Sequence, residues 1–200
     1  REGEILPRTQ IPKEAILKAA LRKLIRDGYS SLNIKSIAEE IGCSTQPISW
    51  HFGNMETLRR ALAEFALNYA NEKMYRGGKQ GMDAFFHVGR AYIEMAFDEP
   101  NLFQYLFMNG GSGNRGIGFR QLVNTDEKKE MIQQITVDLQ IPEEKTSQFF
   151  HNMIIYTHGL ASYIATGQIT APKEEVWDML KKAVFLFHEE QAQSEKGKEG

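Results

Sequence analysis

Cysteine is nearly absent from these 200 residues: Cys43 stands alone, so no disulfide can form within the chain and a reducing cytoplasm is the expected setting. Long apolar runs are absent as well. No stretch approaches the roughly 18 residues that a membrane span needs, and the N-terminus lacks a signal-peptide pattern, so no membrane partner is expected. No segment reads convincingly as a strand, and no internal repeat is visible. His87, His151, His158 and His188 are scattered, without a metal-ligand spacing; no metal site, cofactor or nucleophile–base–acid arrangement can be read, and an enzyme is not expected. Strong charge is missing too. A net charge of −2 argues against a purely electrostatic nucleic-acid binder, although residues 1–54 carry +2 against −4 for the remainder.

What the chain does have is helical periodicity. Pro12 suits the first turn of a helix that Asp27-Gly28-Tyr29 ends, with Ile16, Leu17, Ala20, Leu21, Leu24 and Ile25 on one face. Asn54 can cap a helix running to about Arg76, with Leu58, Leu62, Phe65, Ala66 and Tyr69 as its stripe and Glu56 at the positive end of its dipole. Further helices are expected over residues 82–98, after Pro100, over about 126–139, from Pro142 to a stop at Gly167, and from Pro172 to about Glu190. The fold class is therefore all-α. A three-helix head spans 1–54, a connecting helix lies in 55–79, a larger helical body spans 80–190, and 191–200 is a polar tail.

Residues 33–58 are the most informative stretch. Ile34, Ile37, Ala38 and Ile41 make one apolar face; Gly42 allows the left-handed backbone that ends a helix. Ser44 can cap the next helix, and Pro47 falls within its first turn. Ile48 and Phe52 then face inward and leave Thr45, Gln46, Ser49, Trp50 and His51 outward. A short second helix presenting small polar and aromatic tips is how a helix-turn-helix offers side chains to a DNA major groove. Gln pairs well with adenine edges and hydroxyls are versatile donors and acceptors. Lys35 and Asn54 are candidate phosphate contacts, whereas for His51 a role in closing the small head core is an equal alternative.

The same stretch has a family resemblance. Ile16, Ala19, Ala20, Leu21, Gly28 and Tyr29, then Leu32, Ile34, Ile37, Ala38, Gly42, Ser44 and Ile48, then His51-Phe52-Gly53-Asn54-Met55-Glu56-Thr57-Leu58 resemble, at fixed spacing, the DNA-binding head of the TetR-family transcriptional regulators. Two positions depart from that pattern: Ser49 stands where the family commonly has Tyr, and Met55 where it often has a phosphate-binding Lys. Tyr156-Thr157-His158-Gly159 is similar to an aromatic-x-His-Gly signature of one of the family's regulatory domains, with Tyr in place of Trp. The resemblance implies a sequence-specific regulator, most simply a repressor, that binds double-stranded DNA at a palindromic operator.

In the body, Phe149, Met153, Tyr156, Leu160 and Tyr163 form one row of a long helix and Phe150, Ile154, Thr157, Ala161 and Ile164 a neighbouring one. That stripe is too wide for a single neighbour. Because a palindromic site asks for a two-fold protein, a homodimer through the last two helices is expected, the alternative being the core of a monomer. Aromatic residues including Phe86, Phe103, Phe107 and Tyr156 could wall an apolar cavity for a small apolar or amphipathic ligand, with Arg90, Asn152 and His158 as polar anchors. Gly111-Ser112-Gly113-Asn114-Arg115-Gly116 matches the dinucleotide fingerprint, but no strand precedes it and a connector is the better reading. Two rival functions stay open: a DNA-bound scaffold acting through a protein partner, and a helical carrier or enzyme using the cavity.

Overall fold

The computed structural model describes residues 11–108, 117–124 and 128–196. Among them are ten α-helices, one 3-10 turn and no strand. None of these helices is long and apolar enough to cross a membrane. The head contains α1 (Lys13–Asp27), α2 (Ile34–Ile41) and α3 (Gln46–Phe52), and α4 (Met55–Met74) leads out of it. The body contains α5 (Gly81–Asp98), α6 (Pro100–Phe107), α7 (Ile117–Val123), α8 (Lys129–Leu139), α9 (Glu143–Ala165) and α10 (Lys173–Lys196).

Local chemistry fixes each boundary in the head. Asn33 Oδ1 accepts from the Ser36 backbone N–H at 2.9 Å, and Ser36 Oγ accepts from the Asn33 N–H at 3.2 Å. This reciprocal pair satisfies two donors that the start of α2 would otherwise orphan. Gly42 ends α2 in the left-handed region, φ 78° and ψ 36°, and its N–H closes on the Ala38 and Glu39 carbonyls. Asn54 caps α4 through the Thr57 N–H at 2.9 Å, as its sequence position suggested. Ser44 does not cap α3. The residue before α3 is Thr45, in right-handed helical geometry, and no side chain accepts from the first turn. Because Thr45 already turns with the helix, its hydroxyl is not offset in the extended geometry that a capping side chain needs.

Ile16, Leu24, Ile37, Ile48, Leu58 and Leu62 are all fully buried. They belong to one apolar core that runs without a break from the head through α4 into α5, α6 and α9. Head and body are thus packed as one unit. Two sequence expectations shift. A helix occupies 117–123, where the expected glycine-rich loop of 109–118 ends and no helix was expected before about 126. The last helix continues to Lys196, beyond Glu190. The Gly111–Gly116 fingerprint lies outside the described residues.

Candidate nucleic-acid interface and body cavity

With Ile48 and Phe52 anchoring its inner side, α3 presents Gln46, Ser49 and Trp50 on one exposed face, three and four residues apart. Trp50 is 67% exposed, an unusual position for so large a ring unless something else covers it. Thr45 and Ser44 are exposed beside the start of α3, and Lys35 extends from the first turn of α2 with only a loose 3.9 Å pair to Glu39. Gln46, Ser49, Trp50, Thr45, Ser44 and Lys35 are therefore all exposed on the helix-turn-helix.

His51 and Asn54 are committed elsewhere. His51 is half-buried, with Nε2 2.9 Å from the Ile11 carbonyl oxygen. A carbonyl only accepts, so Nε2 carries the proton and donates, latching α3 to the segment before α1. Of the two readings left even for His51, base contact and closing of the head core, this bond favours the second. Asn54 remains exposed, but its carbonyl oxygen is spent on the α4 cap. Met55 is half-buried against the head core, so its side chain packs where the family pattern has a cation.

Ion pairs brace α1 against α2: Glu40 receives Arg26 at 2.9 Å and Arg22 at 3.7 Å. Asp27, bonded by Arg26 and Lys23, has its carboxyl held down to about 2. Arg26 hydrogen bonds likewise hold the Glu40 carboxyl below its usual range.

The body encloses a cavity of about 240 Å³ between α5, α8, α9 and α10, with Tyr75 at the end of α4 and Leu122 of α7 at its margin. Phe86, Arg90 and His158 line it as expected. Phe103, Phe107, Tyr156 and Asn152 do not. Phe103 and Phe107 lie in the core behind Tyr92, whose ring meets them edge-on at 4.9 and 4.7 Å. Tyr156 instead turns toward Phe187 of α10. The sequence reading omitted Tyr92, Lys128, Trp177 and Lys181, all of which line the cavity. Each comes from a different stretch of chain or was taken as plain core, and only the amphipathic pattern of α10 hinted at Trp177 and Lys181 sharing a face.

His158 and Tyr92 join at 2.7 Å through Nδ1 and the phenol oxygen. Burial pushes the imidazole pKa below its usual value, so the ring is neutral near pH 7, and pushes the Tyr92 phenol well up. Phe119 of α7 packs on the imidazole at 4.1 Å, and Phe103 stacks on it at 6.2 Å.

Through Phe103 the cavity wall touches α6, and α6 in turn grips the head. Asn101 Nδ2 donates to the Ile25 and Arg26 carbonyls at 3.0 and 3.3 Å, satisfying acceptors at the open end of α1. Gly28, at φ +79°, sits beside Asn101; a side chain there would be strained by the backbone, with its Cβ in ordinary contact with Asn101. Tyr105 stacks on Tyr29 at 5.5 Å and donates to the Arg59 carbonyl of α4 at 3.3 Å. A second tie lies on α4, where Tyr69 and Lys73 both donate to Glu99, at the α5–α6 junction, at 2.7 and 2.6 Å. Among the described residues, no cluster of His, Cys, Asp or Glu could hold a metal ion.

Residues 16–62 match the family model for bacterial regulatory proteins of the tetR family. Two solved structures are similar in fold. One is a TetR-family transcriptional regulator from Rhodococcus sp., with 18% identity and a TM-score of 0.60 over 88% of this chain and 97% of that one. The other is a TetR-like transcriptional regulator from Rhodococcus sp. RHA1, with 13% identity and a TM-score of 0.52 over 96% and 99%. No curated protein matches the chain significantly.

Proposed function

We propose that this chain, which belongs through the head formed by residues 16–62 to the tetR family of bacterial regulatory proteins, is a ligand-responsive repressor that binds a palindromic operator as a homodimer. Gln46, Ser49 and Trp50 enter the major groove to read base edges, while Lys35, Ser44 and Thr45 contact the flanking backbone. Two heads then engage successive major grooves about 34 Å apart. A ligand in the cavity changes that spacing by favouring a body arrangement that DNA does not, and repression ends by a shift of population.

The observation that carries the reading is the contact chain from cavity to head: His158 on Phe103, then α6, then Asn101 on the end of α1. It supplies a continuous route of packed and hydrogen-bonded groups between the two sites, along which a ligand effect can travel. The cavity itself favours ligand response over a scaffold role. The homodimer is supported by α9 and α10. Ile155 and Tyr163 lie exposed on one row of α9, and Phe185 and Leu186 lie exposed on α10. Gly159 stands between Ile155 and Tyr163, and no described residue lies near the position a side chain would occupy, so nothing among the described residues needs a glycine there. A second backbone can approach closely at such a gap.

The test is selection of genomic DNA fragments by the purified protein at near-physiological salt, with the stoichiometry of the bound complex measured by sedimentation. Enrichment of an inverted repeat holding two copies is expected. Binding that shows no sequence preference and vanishes as salt rises would contradict the proposal.

A further inference from the structure

We propose that the body cavity selects an amphipathic anion, a small molecule with an apolar alkyl or aryl body and one carboxylate; this rests on reading the cavity as the regulatory ligand site. Three cationic side chains, Arg90, Lys128 and Lys181, line the cavity, and among the described residues no carboxylate does. Most of the remaining wall is apolar, from side chains such as Phe85, Met153 and Leu180.

Two of the three cations lie on aromatic surfaces. The Arg90 guanidinium lies 5.1 Å over the Trp177 ring, and Lys181 is one helical turn further along α10 from that ring. Lys128 lies 4.8 Å over Tyr75 and donates to its hydroxyl at 2.8 Å. The two ring contacts position Arg90 and Lys128 beside apolar wall, so a ligand can cover its tail there while its carboxylate meets a cation already in place.

Two acids compete outside the lining. Glu94 pairs with Arg90 at 3.1 Å and Asp178 with Lys181 at 3.4 Å, with side chains 42% and 66% exposed. Such neighbours along one helix surface pair weakly and are screened, so a ligand carboxylate displaces them readily. Lys128 has no carboxylate partner among the described residues; Tyr75 is its recorded contact.

A cationic ligand would meet Lys128 without a neutralising carboxylate among the described residues, and a neutral one would leave that charge unused. His158 does not anchor the anion by charge: its imidazole is neutral near pH 7, and it serves the polar end as a hydrogen-bonding group beside Tyr92. At about 240 Å³ the cavity falls below the range of about 300–1,000 Å³ typical for drug-sized ligands, which suits a molecule of roughly ten heavy atoms.

The experiment is calorimetric titration of the full chain at neutral pH with octanoate, octan-1-ol and octylamine, which share one apolar body and differ in head group. Octanoate is expected to bind at least about tenfold more tightly than the alcohol, with the amine weakest. Lys128→Met should lower octanoate affinity about fivefold or more and leave the alcohol unchanged, Lys128→Arg should retain most of it, and Lys181→Met gives a second, independent reading on an exposed side chain. Alcohol or amine binding as tightly as octanoate would overturn the anion assignment while leaving the cavity as a ligand site. Absence of binding by all three would overturn the cavity reading and the anion assignment together, with operator selection standing apart as a separate measurement.

Discussion

The head and the body solve the packing problem in opposite ways. The head core is built from small and branched aliphatic side chains, Ile16, Ala20, Leu24, Ile37 and Ile48 each fully buried, with Trp50 left outside it on the surface of α3. The body carries larger aromatic side chains, and it leaves Phe86 45% exposed beside a cavity. A filled core gives α3 one orientation, which base reading requires. An incompletely filled one leaves room for a small molecule to take the place of missing side chains. One apolar core joins them, so a change in the second can reach the first.

Core truncation gives the sharpest contrast. Ile48→Ala should destabilise the protein by about 2–5 kcal/mol in urea unfolding, because the head has no slack to absorb the lost volume. Phe86→Ala, at the cavity margin, should change stability by less than about 1 kcal/mol, since much of that ring already faces solvent. Equal losses would erase the difference between the two regions. Next in size, Gln46→Ala should weaken operator binding by about 1–3 kcal/mol and relax preference at one base position without altering unfolding. Fluorescence anisotropy with a panel of single-base operator variants checks both effects.

Asn101→Ala addresses the seam. Removing its two hydrogen bonds to α1 should lower stability by about 1–2 kcal/mol while leaving the α3 surface and the intrinsic DNA preference unchanged. A loss of base preference in this variant would mean that α6 shapes the reading surface and does not merely hold the head in place.

The smallest expected effect concerns pH. His158 titrates at 6.5 in an unfolded chain and lower when folded, so between those values the unfolded chain binds the extra proton. Its contribution is therefore complete above 6.5 and declines as pH falls from there toward the folded value. Melting temperatures measured from about pH 7.5 to about 5.5 should fall more steeply for the wild type than for His158→Gln. Parallel curves would show that burial of the imidazole contributes nothing.

The contrast between the regions also explains what could be read from the chain. The order of the head helices was legible because its determinants are local: apolar residues three and four apart, a glycine at the end of α2, an asparagine at the start of α4. Ser44 misled because two neighbouring hydroxyl residues, Ser44 and Thr45, precede α3 and the backbone already turns at Thr45. His51 was undecidable because its partner, Ile11, lies on the far side of α1. The cavity was legible only as a tendency. Its wall takes Tyr75, Tyr92, Lys128 and Trp177 from four separate stretches, and nothing in the spacing sets Lys128 against Tyr75 or Arg90 against Trp177. Phe103 and Phe107 have the composition of a cavity wall yet fill the core behind one. The short α7 escaped notice because it offers only two turns after a run of glycines.

The most direct measurement of the central claim, that cavity and head are energetically coupled through α6, is operator affinity by fluorescence anisotropy with and without saturating octanoate, in the wild type and in Asn101→Ala. The wild type should bind its operator at least about fivefold more weakly with the cavity filled, the low end of ordinary allosteric coupling, and Asn101→Ala should lose most of that response. Identical operator affinity with the cavity empty and demonstrably filled would contradict the coupling and leave the head and the cavity as two independent sites on one core.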